Sequence, residues 1–256
     1  MSKVGELWKK HFIEEKYSYM MDNVSKSFFE RLIKSPYIQH IIKYYGRKKG
    51  KVIEAGCGPG KLSVAFALLG YDVTAMDYNE QMLRNAEHLK DMAEKLFNKK
   101  LRFTTLKDDL ERLKIRSGTY DIVFNEGVVE HWLKKEDRIN VIKEMVRITK
   151  RKGVVSITVP NGGHPLMRLW YKRAKSYTNA PPMTFYTSKK LRKEMEMAGL
   201  VDIETDGISI GRSIGQWPDW FILKKLGAGL DKIIPSNKAL RERFGVSIYG
   251  IGRKVY

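Results

Sequence analysis

The sequence predicts an α/β fold, doubly wound around a mostly parallel seven-stranded sheet. Three observations predict it. From residue 51 onward, short β-branched runs alternate with helical stretches, and strand–helix–strand succession forces right-handed crossovers and a parallel sheet covered on both faces. A glycine-rich turn, Gly56-Cys57-Gly58-Pro59-Gly60, joins the first of these strands to the helix after it. Acidic residues then stand just past successive strands, at Asp77, at Asp108-Asp109 and at Glu126. That edge of an open parallel sheet is where ligands bind.

Residues 1–50 are aromatic and basic, with apolar positions spaced for helices: Leu7, Trp8 and Phe12, then Phe28, Phe29, Leu32 and Ile33, then Ile38, Ile41 and Ile42. Pro36 divides the last two pieces. Strands are expected at Val52–Ala55, Asp72–Met76, Leu101–Leu106, Tyr120–Asn125 and Gly153–Val159. Between them helices are expected at Lys61–Leu69, Asn79–Phe97 and Asp137–Thr149. Glycines and prolines make 160–190 irregular; a helix at Ser188–Ala198 closes at Gly199, and a strand follows at Val201–Ile210. Residues 211–245 read as an insertion with a short amphipathic helix (Trp220, Phe221, Leu223, Leu226), and Val246–Val255 is the closing strand. The whole of 1–256 is expected to form a single domain: a helical cap (1–50), a ligand-binding core (51–160), a lid and helix (161–200), and closing strands with the insertion (201–256).

With 43% apolar and 30% charged residues the chain is of globular composition. No apolar run approaches the roughly 20 residues that span a bilayer, and Met1–Lys10 lacks the apolar stretch of a signal peptide. The single cysteine, Cys57, excludes an internal disulfide and suits a reducing compartment, so a cytoplasmic location is expected. The net charge of +19 is unevenly placed: residues 1–50 hold eleven Lys and Arg against five Asp and Glu, and 151–200 hold ten against two. Such a field attracts nucleic acid, an acidic membrane surface or a small anion. A lysine-rich, heat-adapted proteome would leave the same mark.

Chemistry is carried by four motifs. In Glu54-Ala55-Gly56-Cys57-Gly58-Pro59-Gly60 the glycines permit close approach of a ligand to the backbone, and the helix that follows offers unpaired N–H donors. The dinucleotide fingerprint wants a glycine three residues after Gly58, where Lys61 stands. Asp77 ends the second strand, placed to accept from both hydroxyls of a ribose. Asp108-Asp109-Leu110 follows the third strand, where a carboxylate can accept from an adenine amino group and the next backbone N–H can donate to the ring. The spacing to Leu113 favours Asp109, with Asp108 one residue away as the alternative. The fourth strand delivers Asn125 and Glu126 to the carboxyl edge, Gly127 turns the chain, and Glu130-His131 follow.

In this order and register the four motifs resemble the class I S-adenosylmethionine-dependent methyltransferases over roughly residues 50–160, and more loosely through Phe185-Tyr186-Thr187 and Gly199-Leu200. The resemblance implies a Rossmann-like methyltransferase fold, S-adenosylmethionine as cofactor and S-adenosylhomocysteine as product. It implies that Glu54 holds the glycine loop or binds the amino-acid part of the cofactor, above Gly56, Gly58 and Gly60. It implies that Asp77 holds the ribose, with Tyr78 beside it and Met82 packing nearby. Asp109 and Leu110 would recognise the adenine, and Asn125, Glu126 and Gly127 would wall the sulfonium. Glu130 and His131 are the candidates for a general base, which is needed only when the acceptor loses a proton as it attacks; a Glu-His pair can also simply cap or pack. In metal-assisted quinone O-methyltransferases of this fold a Glu-x-x-Glu-His cluster is expected; Gly127 stands at its first position here, and no metal site is expected. The acceptor is expected to be a small molecule, covered by the N-terminal helices and by residues 160–190, where Arg168, Trp170, Tyr171, Lys172, Arg173, Lys175 and Tyr177 interleave aromatic and basic side chains. An RNA or protein acceptor, or a non-catalytic binding protein on the same fold, is the alternative.

Overall fold

In the computed structural model, which describes residues 6, 24–165, 171–172, 181–208 and 237–255, the chain past residue 23 starts with two capped helices. α1 (Lys26–Ile33) begins at Ser25, whose hydroxyl accepts from the Phe28 N–H at 3.2 Å. α2 (Pro36–Tyr45) begins at Ser35 with Pro36 in its first turn, where a missing N–H costs nothing. It ends at Gly46 in the left-handed conformation.

Seven strands follow: β1 (Lys51–Ala55), β2 (Asp72–Asp77), β3 (Phe103–Lys107), β4 (Tyr120–Glu126), β5 (Thr149–Pro160), β6 (Leu200–Ile208) and β7 (Ser247–Lys254). They form one sheet in the order β3-β2-β1-β4-β5-β7-β6. β1 to β5 pair in parallel, while β7 runs antiparallel to both β5 and β6. The doubly wound, mostly parallel architecture expected from the sequence is therefore present. Strand order reverses between β1 and β4, which makes the carboxyl ends of those two strands the switch point where such sheets bind ligands.

Side-chain alternation along the strands builds a core on each face. Ile53, Val123, Val155 and Ile157 pack with Val141, Ile142 and Met145 of α5 (Lys135–Ile148) and with Leu191 and Met195 of α6 (Ser188–Met197). Val52, Val73, Ile122, Phe124 and Val154 pack on the other face with Ile38 and Ile41 of α2 and with α3 (Lys61–Leu68). Past Lys61, α3 is apolar all round except for Ser63, and every residue from Leu62 to Leu68 is buried. That fits its place between the sheet and α1, whose Phe29 packs on Val64 and Leu68 together with Leu89 of α4 (Glu80–Phe97).

Three expectations needed correction. The strand expected from Leu101 starts at Phe103 because the Leu101 N–H is taken by Glu94 Oε1 at 2.8 Å, closing the left-handed turn at Asn98 that ends α4. The helix expected through Thr149 stops at Ile148, and β5 starts there: Thr149 pairs with Tyr120, the register shifts through Lys152 (φ 61°), and pairing resumes at Val154 with Ile122. Inside the expected insertion lies a helix that was not anticipated, α7 (Lys238–Phe244), capped by Asn237. The amphipathic stretch at Trp220–Leu226, and Leu7, Trp8 and Phe12, lie outside the described residues.

α7 sits directly on β6. A methyl group at Gly207 would collide with the Arg241 carbonyl, so only glycine fits there. Arg241 reaches both oxygens of Asp206, at 2.9 and 2.7 Å, and Asn161, buried at the end of β5, donates to the Glu242 and Gly245 carbonyls. Gly207→Ala is expected to destabilise the fold by about 1–3 kcal/mol through overpacking. Urea unfolding would read this as a lower midpoint at unchanged slope; equal midpoints would mean that α7 contributes little.

Candidate functional site

The glycine turn between β1 and α3 is fixed from two sides. Gly56, Gly58 and Gly60 all have positive φ (81°, 50° and 76°). At Gly56 a Cβ would stand 2.7 Å from Val128 Cγ2, and at Gly60 it would stand 2.7 Å from Ala86 Cβ, so both are sites of close packing as well as of backbone shape. Beside Gly58 nothing lies within 4 Å, which leaves that face of the turn open to a ligand. The Gly56 and Cys57 N–H groups both donate to the Met76 carbonyl at 2.8 Å.

Asp77 and Glu54 complete the clamp. Asp77 accepts from the Gly58 N–H through Oδ2 and from the Asn79 N–H through Oδ1, both at 2.8 Å, and burial raises its pKa. Each oxygen retains a lone pair. Glu54 is buried on the α3 face, and its Oε2 accepts from the Ser63 N–H (2.9 Å) and hydroxyl (2.5 Å), tying β1 to the first turn of α3. Burial pushes its carboxyl up to about 8, the Ser63 hydrogen bonds opposing and Glu126 and Asp77 adding to the rise. Ser63 was not identified from sequence; a small polar residue in an otherwise apolar helix was the available signal.

Past β3, Asp108 is buried and spends both oxygens on its own loop, accepting from the Asp109 N–H and the Lys114 N–H at 2.9 Å each. Asp109 is half-buried and accepts from the Glu111 N–H through Oδ1 at 3.1 Å, and Leu110 is buried beside it. The two neighbouring acids thus have different work: the first shapes the turn, and the second keeps an oxygen toward the surface.

At the end of β4 the expected wall residues part company. The Asn125 side chain turns into the α5 core, its Nδ2 facing Met145 Sδ at 3.6 Å. Its Oδ1 has no hydrogen-bond partner among the described residues. Glu126 is exposed on the other face, close enough to Glu54 and to Tyr37 of α2 to raise the pKa of both. Gly127 (φ 70°) donates to the Thr158 carbonyl at 2.9 Å and swings the chain over the edge. Tyr78 and Met82 lie just past β2, Met82 fully buried and Tyr78 partly so.

A 3₁₀ turn, Val129–His131, then buries both Glu130 and His131. Glu130 Oε1 lies 3.9 Å from His131 Nε2, and its Oε2 has no partner among the described residues. Burial raises the Glu130 carboxyl to about 8, with Glu126 adding to the rise. His131 Nδ1 lies 3.1 Å from the Pro182 carbonyl oxygen. A carbonyl only accepts, so Nδ1 carries the proton and in the neutral ring Nε2 holds the lone pair, on the side of Glu130.

What holds this turn in place went unread in the sequence. Arg138 is buried in α5 and grips Glu194 of α6 through two hydrogen bonds (3.1 and 2.7 Å). Its Nη1 donates to the Trp132 and Leu133 carbonyls and to Thr184 Oγ1. Tyr186 donates to Glu194 Oε2 at 2.6 Å, and the Thr184 N–H donates to the Glu130 carbonyl at 2.7 Å. The signal was a charge on the apolar stripe of a helix, since Arg138 shares the face of Val141 and Met145. Of the interleaved aromatic and basic segment, Tyr171 and Lys172 are described; Tyr171 donates to the Pro181 carbonyl at 3.2 Å and stacks edge-on with Phe185. Arg168, Trp170, Arg173, Lys175 and Tyr177 lie outside the described residues.

Residues 53–157 match the family model described as a methyltransferase domain. The chain is similar to Bacillus subtilis YqeM, 26% identical over 113 residues that make up 44% of this chain and 43% of that one. It is also similar to the malonyl-[acyl-carrier protein] O-methyltransferase of Enterobacter lignolyticus, 29% identical over 44% of this chain and 39% of that one. Among solved structures, a SAM-dependent methyltransferase from Archaeoglobus fulgidus superposes with a TM-score of 0.61 at 16% identity, over 93% of this chain and 100% of that one. Over this core the chain is similar to S-adenosylmethionine-dependent methyltransferases, and its fold is the one those solved structures share. It spans about half the length, or less, of the curated relatives it matches.

Removing Arg138 would leave the buried Glu194 carboxylate without its cation. Arg138→Ala is expected to cost about 3–5 kcal/mol, whereas a paired Arg138→Met, Glu194→Met exchange would cost much less. Thermal unfolding of the three proteins checks this; equal losses in the single and double variants would count against the ion pair as the support of the 130–133 turn.

Proposed function

We propose that this chain binds S-adenosylmethionine at the carboxyl edge of β1, β2 and β4 and transfers its methyl group to a small-molecule acceptor. The observation that carries this reading is the gathering of four carboxyl groups, Glu54, Asp77, Glu126 and Glu130, around an open glycine turn, with burial and mutual repulsion raising Glu54 and Glu130. Such a site favours a ligand that carries positive charge. The diphosphate of a nicotinamide cofactor would meet these same acids with repulsion.

The residues present fit the group. Gly58 leaves room along the turn, and Asp77 has a spare lone pair on each oxygen for two ribose hydroxyls. Asp109, in preference to Asp108, is the adenine residue, because Asp109 is partly exposed and engages only Oδ1 with its loop, whereas Asp108 is buried with both oxygens engaged. Glu126 and Gly127 border the reactive end; Asn125 supports them from below. The cofactor supplies a methyl group on an activated leaving group, so the chain's contribution is chiefly alignment and exclusion of water, worth about 7–11 kcal/mol in favourable cases. Where the acceptor gives up a proton, the ionised Glu130 receives it at Oε2, and His131, held by the Pro182 carbonyl, stands 3.9 Å from Oε1 on the far side. The same reading treats residues 1–256 as one domain and places it in the cytoplasm, in keeping with a single, buried cysteine. No helix among the described residues is long and apolar enough to cross a membrane.

Calorimetric titration with S-adenosylmethionine, S-adenosylhomocysteine and NAD tests the cofactor directly. Binding of the first two in the micromolar range without NAD is expected; preference for NAD would sink the reading. Asp77→Asn keeps the side-chain shape and removes the charge, and is expected to weaken both adenosyl ligands about tenfold or more. An unchanged dissociation constant in a folded variant would take the ribose role away from Asp77.

Glu130 gives the turnover a pH dependence. Its carboxyl is raised to about 8, so below that pH it is protonated and unable to accept. The kcat/KM for a proton-losing acceptor is therefore expected to rise with pH and level off above about 8, and Glu130→Gln to be slow and flat across the range. Stability moves the other way: a carboxyl raised in the folded state favours folding in its neutral form, and that advantage is lost as pH climbs from the unfolded value through the folded one. Glu130→Gln should consequently be more stable than wild type at pH above 8. A pH profile identical in the two proteins would return Glu130 to a packing role.

A further inference from the structure

We propose that the opposite rim of the sheet, at the amino ends of its parallel strands, docks the phosphate backbone of a nucleic acid. This surface does not depend on the methyl-transfer reading. β1 to β5 are parallel and β7 is antiparallel, so the entries of β1, β4 and β5 and the exit of β7 share one edge. Lys48 and Lys49 stand just before β1, Arg116 before β4, and Arg151 and Lys152 in the irregular start of β5. All five are exposed, and none is paired with an acid among the described residues.

Some cations on this rim have structural employment, and they differ from these five. Lys254 Nζ donates to the Arg147 and Thr149 carbonyls at the end of α5, and Lys99 Nζ to the Leu68 carbonyl at the end of α3. Both complement helix carboxyl termini. Lys150 neutralises Asp121 at 2.8 Å, and Lys100 neutralises Glu94 at 2.9 Å. Asp72 and Asp202 stand at the starts of β2 and β6 on this edge, Glu196 lies in the last turn of α6, and Glu144 near the end of α5 is neutralised by Arg147. The five exposed cations exceed what helix ends and local acids require.

They also project from pinned turns. The Tyr45 hydroxyl donates to the Lys49 carbonyl, Thr119 Oγ1 to the Arg116 carbonyl at 2.6 Å, and Arg253 Nη1 to the Lys152 carbonyl at 3.3 Å. Lys152 itself is held in the left-handed conformation. Ordering such turns costs little when an anion arrives. β1, β4 and β5 are adjacent strands about 4.8 Å apart, so the three turns line up over about 10 Å, the axial run of about three phosphates in one strand at 3.4 Å each.

A membrane surface fits less well, because interfacial binding pairs cations with exposed apolar side chains. The exposed large apolar residues near this edge, Leu96, Met197 and Val201, lie at its two ends beside β3 and β6, and none lies between the basic turns among the described residues. The rim is a strand length, about 20 Å, from the carboxyl edge. Nucleic acid held here is a tether for the domain, and its bases do not reach the methyl-transfer site from this surface.

The test uses the full chain and fluorescently labelled single-stranded RNA and duplex DNA of about 20 nucleotides, read by anisotropy between about 50 and 200 mM salt. Both are expected to bind, with log affinity falling against log salt at a slope of about −3 or steeper. The variant K48E/K49E/R151E/K152E should lose at least about tenfold in affinity, and the milder K48Q/K49Q/R151Q/K152Q a smaller factor in the same direction, with a shallower slope. S-adenosylhomocysteine binding to each variant, measured in parallel, should match wild type, since those residues are remote from the glycine turn. Wild-type affinity in both variants would overturn the proposal by placing the polyanion elsewhere on the chain. So would absence of binding at the lowest salt, or binding to phosphatidylserine vesicles without binding to either nucleic acid. Failure of wild type to bind S-adenosylhomocysteine would count against the methyltransferase reading alone.

Discussion

Everything at the carboxyl edge depends on how one five-residue turn is clamped. The chain leaving β1 must bend sharply enough for α3 to lie back on the sheet, and it does so through three positive-φ glycines. A turn of that composition is conformationally expensive, since glycine loses the most freedom on folding. The cost is offset by fixed partners on both sides: the Met76 carbonyl and Asp77 from β2, and Glu54 gripping Ser63 from β1. The same hydrogen bonds that make the turn rigid also leave one face of it bare at Gly58. Binding capacity and local stability are two consequences of one arrangement.

A second clamp works at longer range. The 3₁₀ turn carrying Glu130 and His131 has little of its own to hold it, being a single turn with no side-chain cap. Its position is imposed by the segment 181–186, through Pro182 and Thr184, and that segment is imposed in turn by the Arg138–Glu194–Tyr186 network. Buried ion pairs contribute little net stability against apolar substitutes, and their better-attested use is to fix one arrangement among several. Here the arrangement fixed is that of two titratable side chains at the edge where β4 ends.

Much of this was legible in the sequence, for physical reasons that differ from residue to residue. The strand–helix alternation and the glycine turn are local signals, set by side-chain period and by backbone sterics, and they placed β1, α3, β2 and α4 nearly to the residue. Asp77 was legible because its position follows from the end of a strand. Asp108 and Asp109 were harder to separate, since their division of labour rests on which backbone N–H groups face which carboxylate. Arg138, Glu194 and Ser63 were not legible, because their meaning lies in contacts between elements far apart in sequence. Asn125 shows the limit most clearly: its place at the strand end suggested a wall of the site, while side-chain alternation sends it into the α5 core. α7 was missed for a similar reason, since Gly207, Asp206 and Asn161, which seat it, lie in or just past strands far away in sequence.

The charge pattern follows the same logic of edges. In a doubly wound sheet the helices run against the strands, so their amino ends crowd the carboxyl edge and their carboxyl ends crowd the opposite rim. Helix dipoles therefore favour acids at the first and bases at the second. In this chain Glu54, Asp77, Asp109, Glu126 and Glu130 stand at one end and Lys48, Lys49, Arg116, Arg151 and Lys152 at the other, while Lys134, Lys135 and Lys189 at the starts of α5 and α6 depart from that polarity. The dipole accounts for the sign at each edge but not for burial, and burial is what distinguishes the two. Glu54 and Glu130 are withdrawn from water at a standing cost that raises their pKa values, whereas Lys48, Lys49, Arg151 and Lys152 remain solvated. A protein tolerates buried carboxyl groups where a compensating charge or proton arrives in the course of function. On the two proposals made above, the buried, acidic edge receives a small cationic partner at close quarters, and the solvated, basic rim a large anionic one at its surface.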